Sequence, residues 1–183
     1  MVLTDREIQV ALQNKQIIIK PPPDQSAYSS TSLDLTLSRV LQEWQPAAVE
    51  QIVCPTDKNY KFTNFVAKFS KTKKMTGKGY LLLPGIFLLG WTKENVELPT
   101  QGRLAARVEG KSSLARLGIG IHVTAPTIHA GFKGPIQLEI CNHGPLKVKL
   151  TIGMPVCQLI FEQTLGTPDK GYKGQFYGQV KAG

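Results

Sequence analysis

The residues best suited to chemistry begin at position 110 of this 183-residue chain. Gly110, Lys111, Ser112 and Ser113 follow one another, and Arg116 comes shortly after them. The cluster combines a flexible backbone, N–H donors and positive charge, which are the groups that bind an anionic phosphate chain. The spacing therefore predicts a phosphate-binding loop over residues 110–116.

A single acid stands out downstream of this loop. Glu139 lies between Leu138 and Ile140, within a strand-like run at residues 136–140. A carboxylate in such a run either faces solvent or is held in a site. The phosphate-type loop upstream favours the second interpretation.

The net charge of +9 predicts an anionic partner. The densest basic run covers residues 68–74, and we interpret it as a solvated loop. A single-strand-binding module would need exposed aromatic side chains between the lysines. Phe62, Phe65 and Phe69 lie near the run, but they fit strand-core positions better. With no recognised nucleic-acid-binding motif beside the charge, we expect no nucleic-acid partner.

The cysteines and the ends of the chain indicate a compartment. Cys54, Cys141 and Cys157 are far apart and form no Cys-x-x-Cys, so a disulfide framework or a cysteine zinc site is disfavoured. The N-terminus lacks the order of a signal peptide, and no stretch reaches the length of a membrane span. We expect a cytoplasmic protein with no membrane contact.

Short strands must position these groups. Thr4 and Glu7 form a capping pattern ahead of a helix predicted over residues 5–14. Alternating or β-branched runs predict the strands, while prolines and glycines mark the turns. The predicted strands are residues 16–20, 32–37, 51–54, 62–69, 80–83, 86–92, 103–109, 119–123, 136–140, 146–152 and 156–162.

This pattern predicts a mainly β fold, either a sandwich, a jelly roll or a distorted barrel, with a short N-terminal helix. No repeat or boundary divides the chain, so we expect one domain over residues 1–183. Residues 166–183 show no periodicity. They are expected to form a mobile arm unless something binds them.

Beyond these patterns, the chain resembles the dCTP deaminase family of the trimeric dUTPase-like superfamily. The Lys-Ser-Ser-Leu-Ala-Arg run followed by a Gly-Phe-x-Gly-x-Ile-x-Leu-Glu run is highly specific. Residues 40–80 match only loosely. The resemblance rests on residues 3–8, 111–116, 122–125, 130–134, 136–142, 153–155, 158–159 and 175–179.

The resemblance implies a jelly-roll-like β-barrel of the dUTPase type that assembles as a homotrimer, with each site built from neighbouring subunits. It implies hydrolysis of the 4-amino group of dCTP to dUTP and ammonia. Magnesium would accompany the triphosphate. Zinc would not be used, and the His-x-Glu and Pro-Cys-x-x-Cys signature of zinc deaminases is absent from the sequence. A bifunctional enzyme that forms dUMP and a non-catalytic nucleotide-binding homologue are the alternatives.

By the same resemblance, Glu139 is the catalytic proton shuttle, and Ser112 and Arg116 assist the water and hold charge beside it. Without the resemblance, Ser112 would be interpreted as a helix N-cap and Arg116 as a surface ion-pair partner. Val123 and Ala125 would pin the pyrimidine edge through their backbone, although their side chains alone indicate core positions. The substrate-binding set is Lys111, Ser113, Leu114, Ala115, Val123, Ala125, His129, Gln137, Leu138, Gln158, Tyr172, Gln175 and Gln179.

Two positions depart from the family pattern. His129 stands where family members often carry an aspartate that orients a water for phosphate-chain hydrolysis. A histidine has no fixed negative charge, so we favour a monofunctional deaminase. Gln175 stands where a lysine is common, and Lys173 or Lys170 is the candidate replacement. His122 is interpreted as a strand histidine with its hydrogen bonds satisfied.

Overall fold

The computed structural model describes residues 1–172 and residue 174. The helices are α1 (Asp5–Gln13), α2 (Phe62–Phe69) and α3 (Ser112–Ala115), with short 3-10 turns at Gln25–Ala27, Pro46–Ala48 and Thr100–Gly102. The strands are β1 (Ile18–Lys20), β2 (Tyr28–Ser29), β3 (Ser32–Trp44), β4 (Ser70–Lys74), β5 (Tyr80–Leu82), β6 (Phe87–Glu97), β7 (Leu104–Gly110), β8 (Ile119–Gly120), β9 (Thr127–Ile128), β10 (Lys133–Asn142), β11 (Val148–Leu150) and β12 (Pro155–Gln163).

The main sheet is antiparallel and runs in the order β8-β10-β6-β3-β12-β7-β9. Strand β1 also pairs with β6, strands β2 and β4 pair with β3, and β5 and β11 form a separate pair. The mainly β architecture predicted from the turn spacing is therefore confirmed.

Strand β3 joins the two halves of the sheet. Its first part pairs with β12 and its last part with β4 and β6. The pairing with β6 is interrupted by a register shift between Leu37 and Leu41. A strand that changes partners at an irregularity bends, so the sheet curls around its core.

Alternation along the strands decides which side chains fill that core. Leu33, Leu35 and Leu37 of β3 are fully buried, whereas Asp34 and the other residues between them point to the opposite face. Burying each leucine contributes roughly 1.5–3 kcal/mol. The same alternation on β10 separates the core residues from the polar ones discussed below.

The short N-terminal helix is confirmed. Helix α1 buries Ile8 and Ala11, and Leu12 is half-buried. The hydroxyl of Thr4 donates a hydrogen bond to the carboxylate of Glu7, so the predicted pair forms. The hydroxyl does not cap a backbone N–H of the helix.

The strand prediction for residues 62–69 is wrong, because this segment is helix α2. Phe62, Phe65, Val66 and Phe69 recur at the spacing of one helix face. That period outweighs the preference of aromatic residues for strands. The aromatic residues are therefore presented by a helix that lies over the sheet.

Two further predictions need correction. Residues 51–54 form no strand, since the side chains of Ile52 and Val53 are exposed and no neighbouring strand pairs with them among the described residues. The basic run at residues 68–74 ends α2 and forms β4 rather than a loop. Its lysines are nevertheless solvated, as predicted, and lysines on an edge strand discourage pairing with another sheet.

None of the helices within the described residues is long and apolar enough to cross a membrane.

Candidate active site

Strand β10 presents Glu139 to a cleft rather than to the core. Gln137, Glu139 and Cys141 are half-buried on one face, and Leu138 and Ile140 are buried on the other. The cleft has a volume of about 460 Å³. The Glu139 carboxylate is therefore neither fully exposed to solvent nor buried in the core.

Six of the predicted site residues line this cleft. Its remaining walls are mostly apolar, with contributions from β6, β9 and helix α2. The six residues are Ala125, His129, Gln137, Leu138, Glu139 and Tyr172.

Burial dominates the electrostatics of Glu139. Desolvation raises the pKa of its carboxyl, and the Val123 N–H and the nearby His122 act in the opposite direction. The Val123 N–H donates to Oε2 of Glu139 over 3.4 Å. A carboxylate with a raised pKa is a better proton acceptor near neutral pH than an ordinary one.

Glu139→Gln should stabilise the folded chain at neutral pH. Because the pKa of Glu139 is higher in the folded than in the unfolded chain, the folded chain binds more protons between the two values, and stability falls as pH rises through that window. Glutamine carries no charge, so the variant does not lose stability as pH rises through this window. Thermal unfolding at several pH values should give the two proteins the same melting temperature below about pH 4. At pH values above the window, the variant should have the higher melting temperature.

The matched control for this measurement is Glu50→Gln, at an exposed position. That change should shift the melting temperature little at any pH, because surface substitutions are usually neutral. A Glu139→Gln protein that melts lower than the unaltered chain at about pH 8 would show that the charged carboxylate is well stabilised, contrary to this description.

The segment before the carboxylate departs from its prediction. The strand ends at Gly120, and residues 121–126 are irregular, so the predicted strand at residues 119–123 is only partly formed. Val123 is exposed, as is Ala125, and neither side chain occupies a core position. The alternation of apolar residues predicts a strand here, but the chain leaves the sheet after Gly120. The backbone N–H of Val123 then donates to Glu139 instead of to a neighbouring strand.

His129 and Tyr172 also line the cleft. Their rings stack with centroids 5.7 Å apart, and the Tyr172 N–H donates to the Ala130 carbonyl over 2.9 Å. Gly131 permits this close approach, since its φ is +90° and a Cβ there would lie 2.6 Å from the nitrogen of Tyr172. Gly171 and Tyr172 are thereby held against the cleft.

The phosphate-type loop lies elsewhere on the chain. Ser112, Ser113, Ala115 and Arg116 are exposed on and beside helix α3, and Leu114 is buried beneath them. Ser112 is the first residue of the helix and not its N-cap, which is Lys111.

Lys111 is paired with Asp34 of β3, a residue that the sequence did not single out. Oδ2 of Asp34 accepts from the ammonium group, while Oδ1 is buried with no hydrogen bond within the described residues. Gln158 lies directly across from Asp34 on β12 and accepts a hydrogen bond of 3.0 Å from Ser32. Lys111, Asp34 and Gln158 thus belong to one polar cluster.

The predicted site residues therefore fall into two groups. The first, here called the carboxylate half, consists of the cleft around Glu139 together with Val123. The second, the phosphate half, contains residues 111–116 and Gln158. In the described part of the chain, no member of the phosphate half lines the cleft. Gln175 and Gln179 lie outside the described residues, as does Lys173.

His122 is not the satisfied strand histidine that the sequence suggested. It lies in the irregular segment and lines the cleft. Its Nε2 is 3.8 Å from a carboxylate oxygen of Glu109, and its Nδ1 is buried without a hydrogen bond in the described part of the chain. In the sequence, the only local signal that the strand ends before His122 is the Thr124-Ala125-Pro126 run that follows.

Among residues 1–172 and 174, no three side chains of His, Cys, Asp or Glu cluster as metal ligands would.

Comparisons with known proteins agree with the resemblance. A profile described as dCTP deaminase-like matches residues 2–164. A protein of Methanosphaera stadtmanae named "dCTP deaminase, dUMP-forming" is 36% identical over 93% of this chain and 83% of its own length. A "dCTP deaminase" of Rhodospirillum rubrum is 34% identical over 94% of this chain and 87% of its own length.

Solved structures share the fold. The 2′-deoxycytidine 5′-triphosphate deaminase of Agrobacterium tumefaciens superposes with a TM-score of 0.68 at 21% identity over 88% of this chain, which spans about half (48%) of that chain. A dUTPase of Staphylococcus bacteriophage 80alpha has a TM-score of 0.51 at 11% identity, covering 86% of this chain and 96% of its own. The predicted dUTPase-like fold is confirmed.

Proposed function

The chain belongs to the dCTP deaminase-like family, and from that premise we propose that it hydrolyses the 4-amino group of dCTP to give dUTP and ammonia. The observation that carries the proposal is the half-buried Glu139 carboxylate, which lies in a cleft with five other residues that the resemblance predicts.

Glu139 performs the proton transfers of this reaction. It takes a proton from a water as the oxygen adds to carbon 4 of the base, and it passes that proton to the neighbouring ring nitrogen. It then takes the proton of the new hydroxyl group and passes it to the exocyclic amine. The carbonyl forms as carbon 4 loses its bond to the exocyclic nitrogen, and ammonia leaves. The raised pKa of the Glu139 carboxyl suits a group that must both accept and return a proton. The sequence lacks the zinc-deaminase signature, so the mechanism assigned to this chain uses no zinc at the base.

The carboxylate half holds the nucleoside. Val123 and Ala125 are exposed beside Glu139, and their backbone groups are the proposed hydrogen-bond partners of the pyrimidine edge. The stacked rings of His129 and Tyr172 line the same cleft, and we assign them to the sugar. His129 can donate to a sugar hydroxyl.

The phosphate half holds the triphosphate and its magnesium. The exposed hydroxyl of Ser113 suits phosphate oxygens. Ser112 and Arg116, exposed on the same loop, are proposed to assist the water and to hold charge beside the Glu139 that completes the site. The magnesium ion arrives with the nucleotide as part of the substrate.

The two halves are proposed to come from different copies of the chain. Neither half is complete alone, since the carboxylate cleft contains no residue of the phosphate loop among those described. A closed ring of three copies would bring the phosphate half of each copy to the carboxylate half of its neighbour. We infer a homotrimer with its sites between subunits.

Formation of dUMP is the second candidate, because the Methanosphaera stadtmanae relative carries that name. Cleavage between phosphates needs a group that orients and activates a second water. His129 stands where family members often carry an aspartate for this role, and a histidine lacks a fixed negative charge. The deaminase reaction alone is therefore the function proposed here.

Incubation of the protein with dCTP and magnesium, followed by separation of the products, tests the proposal. We expect dUTP and ammonia in equal amounts and no diphosphate. Accumulation of dUMP with diphosphate would replace the proposed function with the bifunctional one. Absence of turnover would leave only the non-catalytic nucleotide-binding alternative.

We also propose that residues 166–183 belong to the same domain and that Tyr172 contacts the bound nucleotide. Gly131→Ala should therefore raise KM for dCTP by about tenfold, the effect of losing a contact of about 1.4 kcal/mol. The new Cβ would collide with the backbone of Tyr172 and push the segment away. Steady-state kinetics measures the change.

Gly153→Ala is the matched control. Gly153 has a φ of +78°, so alanine there carries a similar backbone strain of about 1–2 kcal/mol, but no atom lies within 4 Å of the added Cβ. A KM that rises equally in both variants would mean that general strain, and not the position of Tyr172, is responsible.

A further inference from the structure

The cleft around Glu139 continues into an aromatic surface that the proposed reaction does not use. Trp44, Phe62 and Phe87 line it together with Leu89, and these four residues are here called the aromatic wall. The first three are half-buried and pack against a small apolar cluster that includes Leu89, separate from the main core. Phe62 reaches the cleft from helix α2.

The register of the sheet places this wall next to the carboxylate. Leu89 of β6 is the direct partner of Glu139, and Phe87 is the direct partner of Cys141. Residues opposite one another in an antiparallel pair lie on the same face, with Cβ atoms about 4.5–5.5 Å apart. The wall therefore begins beside the Glu139 side chain and extends away from it along the sheet.

The chemistry of cytosine indicates what this surface contacts. Carbon 4, where Glu139 acts in the proposed function, has a ring nitrogen on one side and carbon 5 on the other. The nitrogen edge needs hydrogen bonds, for which the backbone of the exposed segment around Val123 is the proposed partner. The edge formed by carbons 5 and 6 carries only C–H groups, and apolar side chains are the partners that stabilise it.

We propose that the aromatic wall is a subsite for carbon 5 of the base, and that the protein deaminates deoxycytidine triphosphates bearing a small apolar group there. The inference rests on the proposed function and extends its substrate class. With 5-methyl-dCTP, water adds at carbon 4, ammonia leaves, and the product is dTTP. Phe62 and Phe87 set the size of the group that fits.

The first test compares kcat/KM for 5-methyl-dCTP and dCTP. A pocket without space for the methyl group would reject it by about 10-fold or more, whereas the wall predicts values within about threefold of each other. Turnover of dCTP with strong rejection of 5-methyl-dCTP overturns this inference alone. Turnover of neither nucleotide overturns the proposed function.

The second test alters the wall. Phe62→Trp fills the space and should lower the ratio of 5-methyl-dCTP to dCTP turnover by about tenfold, and Phe62→Ala should raise the relative turnover of the bulkier 5-propynyl-dCTP by a similar factor. Phe62→Leu is a milder change that should also raise the relative turnover of 5-propynyl-dCTP. It keeps the test available if the Phe62→Ala protein folds poorly.

Phe69 provides the matched control, because it is half-buried on the same helix but does not line the cleft. Phe69→Trp and Phe69→Ala should leave both substrate ratios unchanged. Phe62 variants that keep the ratios of the unaltered protein overturn the inference. If those variants instead change the association of subunits, the wall is a contact between copies.

Discussion

Glu139→Gln is expected to abolish ammonia release from dCTP while leaving nucleotide binding largely intact. The amide has nearly the shape of the carboxylate, and its oxygen can still accept from the Val123 N–H. It cannot take a proton from water. General acid–base catalysis contributes about 10²–10⁴-fold, so kcat should fall by at least that factor.

Ammonia release and equilibrium binding of dCTP, measured separately, distinguish catalysis from substrate affinity. The control is Glu97→Gln on strand β6, where the carboxylate forms an ion pair of 3.1 Å with exposed Lys133. Surface pairs of this kind contribute little, so this variant should keep nearly full activity. A Glu139→Gln protein that turns over normally would show that another group moves the protons.

The period-two pattern in the sequence was sufficient to place Glu139. Leu138 and Ile140 are buried and Glu139 is not, as alternation requires. The same rule placed the leucines of β3 in the core. It failed at residues 119–123, because the chain leaves the sheet after Gly120 although apolar residues continue to alternate.

Pairing between distant segments could not be predicted. Asp34 gives no signal in the sequence beyond a polar place in a strand. Its importance depends on Lys111, the N-cap of helix α3, and on Gln158 of β12, which lie beside it in the fold. Cross-strand register is set by the whole sheet rather than by local residues. The aromatic wall was missed for a related reason, since helix α2 was predicted as a strand.

Neither the sequence nor one chain alone brings the two halves of the proposed site together. The resemblance predicts that Arg116 and Glu139 act on one nucleotide. In the described chain the exposed loop of Arg116 and the cleft of Glu139 are separate features. The proposed site therefore requires a neighbouring copy of the chain.

Mixed assemblies of two inactive variants should recover activity. Arg116→Ala removes the charge of the phosphate half and Glu139→Gln removes the base of the carboxylate half, so each homotrimer should be inactive. When the two chains are co-expressed with different tags and purified through both, every trimer contains both chains. In a closed ring, one site then pairs an intact Glu139 with an intact Arg116, which predicts about one third of normal activity.

Activity of the doubly tagged assemblies reports whether the carboxylate and the phosphate loop that act together belong to different copies. Recovery to about one third of the activity of the unaltered protein, with each single-variant assembly inactive, is the predicted result. If both halves of a site came from the same chain, every chain in the mixture would carry a lesion. Doubly tagged assemblies that stay inactive would then contradict the account.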